Sequence, residues 1–460
     1  MKTYELLPTN ENLLNTFIQD SIGRNADIFS FIEMLNKLEN GCAIALEGRW
    51  GSGKTFFVKQ VKLLMDTYND SVISIDNDTK EKIKAIAGEK ISKIEIQPQV
   101  CVYYDAWEND NDDDPILSMV YSIVQDGNEA FDFSLNSDCI KKAAAVLELI
   151  TGRNWPGIIK NFNSTDPLAG IKSAKKLDEA VGEFMESLLF ERGNRLIIFI
   201  DELDRCKPSY AVKLLERIKH YFNNDRITFV FSINSLELQH TIKKFYGNDF
   251  DACRYLDRFF DWRISLPPEK RENFYQNMNF AYSRWTYDIV CKAVIDQYHF
   301  SLREICKYIA SAKAAAGKAV YNDRQHFDFS FPDGRARQFC LLYVVPIMIG
   351  LKLYNTQQYD AFIDGLDSSP MVAFENCLNQ SFFEWLLNNK ETYDPSDSDD
   401  KDTVSIQSKL EAVYKAIFAT DFSIRQYAVE IGQLLFGRDT KELLLQIVNY
   451  ASNYRDLDIK

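Results

Sequence analysis

The sequence is poor in the residues that build metal centres and disulfide frameworks. Its 460 residues include four histidines, and its nine cysteines form no Cys-x-x-Cys pair. An odd count at irregular spacing argues against a disulfide scaffold, leaves no zinc ligand set and fits a reducing compartment. Long apolar runs are scarce as well. The longest, Phe339 to Leu351, is interrupted by Pro346 and Gly350 and is too short to cross a bilayer, so it is read as a buried helix. The N-terminus starts polar, with Glu5, Asn10 and Glu11, and shows no targeting segment. A cytoplasmic protein without a transmembrane segment is expected.

Positive charge is likewise in deficit. With 67 acidic against 53 basic residues, the formal charge is −14. That argues against broad electrostatic binding to nucleic acid, which depends on Lys and Arg neutralising phosphates. A local basic surface stays open. Arg324, Arg335 and Arg337 gather loosely around a Pro-Gly turn, where a solvated loop is the plainer reading. The acidic run Glu108 to Asp114 has neither the glycine nor the spaced glutamate of a calcium loop, and it too is read as solvated. No repeat of solenoid length is present. The apolar fraction of 46% at this length supports two or three domains with full cores.

What the sequence does contain is a phosphate loop. Gly48-Arg49-Trp50-Gly51-Ser52-Gly53-Lys54-Thr55 fits G-x-x-x-x-G-K-[ST]. Gly48, Gly51 and Gly53 let the backbone curl, so that successive N–H groups point at phosphate oxygens. Lys54 is expected to reach the β- and γ-phosphates, and the Thr55 hydroxyl to take one Mg²⁺ site. A helix opening at the loop adds partial positive charge. Ala43-Ile44-Ala45-Leu46 ahead of the loop reads as a buried strand. Phe56, Phe57, Val58, Val61, Leu63 and Leu64 beyond it recur at roughly helical spacing. Nucleotide contacts are therefore expected from Gly48, Trp50, Gly51, Ser52, Gly53, Lys54, Thr55 and Phe56.

A second element belongs with the loop. Leu196-Ile197-Ile198-Phe199-Ile200 reads as a strand buried on both faces, and it ends in Asp201-Glu202. Asp201 is the expected Mg²⁺ ligand and Glu202 the expected general base for an attacking water. A third strand, Ile227 to Phe231, runs into Ser232-Ile233-Asn234, and Asn234 is the candidate to orient that water; a turn-forming asparagine is the competing reading. Val100 to Tyr104 and Trp262 to Leu266 read as two further strands. Strands alternating with helices predict an α/β core with a mostly parallel sheet covered on both faces, followed by an all-α C-terminal domain. The expected organisation is a helical lead-in over 1–40, a core over 41–268 with helical inserts near 79–92 and 116–190, and a helical lid or partner domain over 269–460. The Ser/Asp-rich stretch Pro395 to Asp402 is an expected exposed loop.

Several segments resemble the KAP-type P-loop NTPases, a branch of the group that also holds AAA+ and STAND ATPases. They are the Trp within Gly48-Arg49-Trp50-Gly51, Tyr104-Asp105-Ala106-Trp107 with Pro115 downstream, Asp201-Glu202-Leu203-Asp204-Arg205-Cys206, and Tyr255-Leu256-Asp257-Arg258 before Leu266-Pro267-Pro268. Asp20-Ser21-Ile22-Gly23-Arg24 resembles the segment that lies near the adenine in related ATPases, which implies a nucleotide contact for Arg24. Two positions depart from the pattern: Asp105 stands where Asn is usual, and Glu202 where the second Asp is usual. The resemblance covers roughly residues 18–310. It implies an intracellular ATPase that drives a conformational or assembly change; bacterial members are often linked to phage exclusion, and many others to membranes. Membrane spans inserted before the acidic strand are not expected here, because residues 116–190 offer only Ala143 to Ile150, broken by Glu148.

Four arginines are candidates to reach a nucleotide's phosphates. Phe300-Ser301-Leu302-Arg303-Glu304-Ile305 resembles a lid element, with Ser301 as helix cap and Arg303 as sensor; surface salt bridging is the alternative. Phe422-Ser423-Ile424-Arg425 repeats the pattern further on. Arg254 and Arg258 sit where AAA-like relatives place a finger reaching a neighbouring subunit, which would make the active form a homo-oligomer. The expected activity is Mg²⁺-dependent ATP hydrolysis. No Asn-Lys-x-Asp reads guanine (Asn223-Asn224-Asp225 lacks the Lys), and no Leu-Ser-Gly-Gly-Gln marks an ABC ATPase. An ATP-binding switch or scaffold with little turnover and a small-molecule kinase remain the alternatives.

Overall fold

The expected strands form one parallel sheet: β1 (Ala43–Glu47), β2 (Val100–Asp105), β3 (Leu196–Asp201), β4 (Ile227–Ile233) and β5 (Trp262–Ser265). The strand order is β2-β3-β4-β1-β5, with every neighbouring pair parallel. The computed structural model describes residues 7–92, 96–131, 138–151, 169–189, 192–219, 224–278, 280, 286–321, 333–378, 382–383, 387, 405–420 and 427–453.

Each central strand sends alternate side chains into two apolar layers, as a sheet covered on both faces requires. On one face Ile44, Leu46, Ile197, Phe199 and Val230 pack with α1 (Asn10–Ile18), α2 (Asn25–Asn36), α3 (Lys54–Thr67) and α4 (Asn77–Ser92). On the other, Ala43, Ala45, Ile198, Ile200, Phe229 and Phe231 pack with α5 (Pro115–Phe131), α6 (Asp138–Thr151), α7 (Ala169–Leu189), α8 (Pro208–Ile218), α9 (Ser235–Tyr246) and α10 (Ala252–Leu256). Burying each large aliphatic or aromatic side chain in these layers contributes about 1.5–3 kcal/mol. Because all five strands run the same way, their C-terminal ends share one edge of the sheet. The segments beginning at Gly48, Ala106, Glu202, Asn234 and Leu266 all leave from that edge, where ligands of open α/β sheets bind.

The chain divides into two units, residues 7–274 and residues 275–460 together with 1–6. In the second unit the described elements are mainly helices, including Thr286–Gln297, Leu302–Tyr321, Thr356–Ile363, Ile406–Tyr414 and Thr440–Asn453. The all-α expectation missed one short antiparallel hairpin, Ala428–Ile431 with Leu434–Gly437. Its turn needs Gly432 at φ 60, and with only four residues a side its alternation is too short to stand out.

The apolar run at 339–351 lies inside a longer continuous helix, Gly334 to Tyr354, which by length and hydropathy alone would reach across a membrane. Its most apolar window is 72% buried within the protein. A π-helical turn, Cys340–Val344, precedes Pro346, whose missing N–H and ring cannot serve the carbonyl of Leu342 in a regular helix. Arg335 and Arg337 sit on the first turns of this helix rather than on a loop, with Asp333 capping it and Arg335 bonded to Gln433. Arg324 and the Pro395 to Asp402 stretch lie outside the described residues.

Candidate nucleotide-binding site

The phosphate loop leaves β1 pinned to its neighbour strand: the Gly48 N–H donates to the Ile233 carbonyl at 3.0 Å. Just before it, the Glu47 carboxylate accepts from the Ser235 hydroxyl at 2.5 Å and pairs with Arg263 at 3.3 Å, tying the tips of β1, β4 and β5 together. Gly51 and Gly53 adopt φ 75 and 90, the left-handed region that glycine enters without strain, and Gly53 opens α3. Space is tight at Gly48, where a Cβ would sit 2.9 Å from the Ser52 hydroxyl and 3.1 Å from the Lys54 side chain. Lys54 is buried and donates to the carbonyls of Gly48 at 2.9 Å and Arg49 at 3.3 Å. Burial lowers its pKa, while Asp204, Asp201 and Glu202 oppose the shift. Those three carboxylates are thus within electrostatic reach of the ammonium.

At the end of β3, Asp201 is 1% exposed and held by one donor on each oxygen. The Tyr103 phenol donates to Oδ2 at 3.0 Å and the Glu202 N–H to Oδ1 at 3.0 Å. Burial, with Asp201 and Asp105 close by, pushes the Tyr103 phenol far up, so it remains a donor. Glu202 takes φ 60, a left-handed backbone that a non-glycine residue adopts only when its surroundings impose it. Burial and then Asp201 push its carboxyl up to about 7, against the pull of Arg205 and Lys54. Arg205 Nε meets Glu202 Oε2 at 2.5 Å, and the Trp50 indole N–H donates to Asp204 Oδ2 at 2.5 Å.

Other expected residues are spread more widely. Arg24 is 4% exposed; it donates to the Ser52 carbonyl at 2.8 Å and pairs with Glu269 at 3.3 Å, so its guanidinium braces the loop backbone. Thr55 is half-buried and Phe56 buried on the first turn of α3. Asn234 directly follows β4, the strand between the loop strand and the acid strand; it is half-buried and makes no side-chain capping bond to α9. Arg254 and Arg258 are exposed on and just after α10, and neither makes an ion pair among the described residues. Ser301 caps its helix as expected, in a reciprocal box with Glu304. Arg303, on that helix, is exposed and belongs to the second unit. Arg425 and Asn223 lie outside the described residues.

Sequence reasoning missed Tyr103, Asp204, Ser232 and Glu269. Asp204 stood inside the Asp-Glu-Leu-Asp-Arg segment and reaches the site through the 3-10 turn after β3; Tyr103, two residues before Asp105, is brought there by the register of β2 on β3. Asp105, which stands where Asn is usual, accepts the Trp107 and Glu108 N–H groups at 3.0 and 3.1 Å and so turns the chain after β2. In the acidic run, Asp114 caps α5 and pairs with Arg217, and Asp110 receives the Lys207 N–H. Arg24 Nε, Ser52 Oγ, Asp204 Oδ1 and Ser232 Oγ are all buried without a hydrogen-bond partner among the described residues.

A parallel sheet with a glycine-rich loop between β1 and α3, and carboxylates at the tip of β3, defines a P-loop nucleotide-binding domain. The model of the KAP family P-loop domain matches residues 24–287. The chain belongs to the KAP family of P-loop NTPases. It is 36% identical over 74 residues to an uncharacterized protein of Methanocaldococcus jannaschii, MJ0182. That match takes in 16% of this chain and 38% of the relative's length. Among solved structures, the Aeropyrum pernix ORC2 protein in ADPNP–ADP complexes aligns over 95% of this chain and 93% of its own, at 12% identity and a TM-score of 0.31. The Aeropyrum pernix ORC1 protein in complex with DNA aligns over 93% and 92%, at 13% identity and a TM-score of 0.33.

Proposed function

We propose that the protein is a cytoplasmic, Mg²⁺-dependent ATPase whose nucleotide state drives a conformational or assembly change. One observation carries the reading: Lys54 and the Asp201–Glu202 pair, distant in sequence, come within electrostatic reach of one another at the C-terminal edge of the sheet. The residues present suit a polyphosphate and its ion. The loop offers glycine-rich backbone N–H groups and a buried lysine, and the orphaned Ser52 hydroxyl lies among them. Thr55 and Asp201 supply oxygen ligands of the kind Mg²⁺ takes. Bound there, the ion would neutralise charge on the β- and γ-phosphate oxygens.

The protein's own groups do the rest. Lys54 binds the β- and γ-phosphates and offsets charge that builds on the transferring group. Glu202 accepts the proton of the attacking water, for which a carboxyl raised toward neutrality is suited. Asn234, just past the strand between loop and acid, orients that water. Arg254 and Arg258 serve a neighbouring copy from an exposed position, and Arg303 acts from the lid. The family's bacterial link to phage exclusion makes antiviral defence the proposed setting.

The test is phosphate release from ATP and from GTP by the purified protein, beside Lys54→Ala and Glu202→Gln. Turnover lost in both variants, with ATP still bound by Glu202→Gln, is the expected result. Tight binding without turnover in the wild type would replace the ATPase with a switch. Absence of nucleotide binding would sink the reading altogether.

A further inference from the structure

Three side chains from segments set apart in the sequence, none of them given a part in the hydrolysis steps above, meet in one cluster. Trp50 comes from the phosphate loop, Trp107 from the turn after β2, and Arg205 from the short 3-10 turn Leu203–Arg205 after β3. The Arg205 guanidinium carbon lies 5.7 Å from the Trp50 ring and 5.4 Å from the Trp107 ring. Both distances are within cation–π reach. Arg205 Nε also meets Glu202 Oε2 at 2.5 Å, with the two side chains only 23% and 17% exposed. The same turn sends Asp204 back to the Trp50 indole N–H.

The supports of this stack are themselves fixed. Asp105 fastens the turn that carries Trp107. The Arg205 N–H donates to the Glu202 carbonyl at 3.1 Å, and Lys207 N–H is held by Asp110 at 2.9 Å. A long arginine side chain free in water samples many rotamers; two aromatic faces remove most of that freedom, and the planar guanidinium then presents its N–H groups in a set direction. Trp50 belongs to the loop, so a shift of the loop moves one wall of the stack. Both tryptophans are partly open to solvent, at 44% and 52% exposure.

We propose that Arg205 is a positioning residue for Glu202, held by Trp50 and Trp107, so that the state of the phosphate loop reaches the general base through a tryptophan–arginine stack. The proposal rests on the assignment of Glu202 as base. A lysine at position 205 would keep the charge but lose the planar face and the directed fork.

The experiment uses the full chain with Arg205→Ala, Arg205→Lys, Trp107→Phe and Trp107→Ala. Steady-state ATP turnover is measured beside equilibrium binding of a fluorescent ATP analogue and tryptophan emission on adding ATP. Both arginine variants should lose about tenfold to a hundredfold in kcat while the nucleotide Kd moves by less than about threefold. Trp107→Phe, which keeps an aromatic wall, should stay near wild type, and Trp107→Ala should fall with the arginine variants. The emission change seen on adding ATP to the wild type should shrink in Arg205→Ala. Wild-type kcat in Arg205→Ala overturns the proposal, as does loss of binding and turnover by equal factors in every stack variant. If Glu202→Gln keeps full turnover, the base assignment falls and this proposal with it. If Glu202→Gln is inactive while Arg205→Ala is normal, the stack proposal alone falls.

Discussion

Removing one oxygen, in Tyr103→Phe, tests how firmly Asp201 is held. The phenol donates to Asp201 Oδ2 at 3.0 Å, and with Asp201 1% exposed, water cannot readily take its place. A hydrogen bond to a charged group contributes about 1.5–3 kcal/mol. The phenylalanine ring keeps the packing and still offers a face to Lys59, whose ammonium lies 4.2 Å from the ring centroid. The deleted hydrogen bond is then nearly the whole change. At roughly 2–4 °C per kcal/mol for a domain of this size class, the nucleotide-free protein should melt about 3–12 °C lower, read by scanning calorimetry. In an Asp201→Asn background the bond is to a neutral amide, and the same deletion should cost only about 0.5–1.5 kcal/mol. Equal losses in the two backgrounds, or no loss in either, would show that the phenol does not hold the carboxylate.

Two glycines give further tests. Gly48→Ala places a Cβ 2.9 Å from the Ser52 hydroxyl and 3.3 Å from Leu266 Cβ, so ATP affinity measured by titration should drop by about tenfold or more; unchanged affinity would mean that the loop has slack. Gly350→Ala puts a methyl 2.2 Å from Val294 Cγ1 in the second unit. Overpacking there costs about 1–3 kcal/mol, and the helix propensity gained, about 1 kcal/mol, offsets only part of it. A melting midpoint at or above wild type would refute the contact.

Much of the sheet was legible because β1 to β4, buried largely on both faces, read as apolar runs and begin where those runs begin; β5, Trp-Arg-Ile-Ser and largely exposed, begins at the expected Trp262 without such a run. The loop was legible because a phosphate cradle needs glycines and a lysine at set spacing. Strand order was not. Nothing local says that β4 slides between the loop strand and the acid strand, and that insertion is what sets Ser232 opposite both Leu46 and Asp201. Tyr103 was hidden for the same reason: its partner across β2 and β3 lies 98 residues away. Glu202 was placed by its neighbours in the motif, but its left-handed backbone and its ion pair with Arg205 are products of the turn that follows.

The Arg24–Glu269 pair has a mechanical consequence. These residues lie 245 positions apart, near the two ends of the first unit, and the guanidinium that joins them also grips the Ser52 carbonyl. Beside it, the Lys270 N–H is bonded to the Ile22 carbonyl at 3.0 Å. The chain passes into the second unit just beyond. Tension applied along the chain at that exit would load this clasp before it loaded any strand, and through Ser52 it would tug on the phosphate cradle itself.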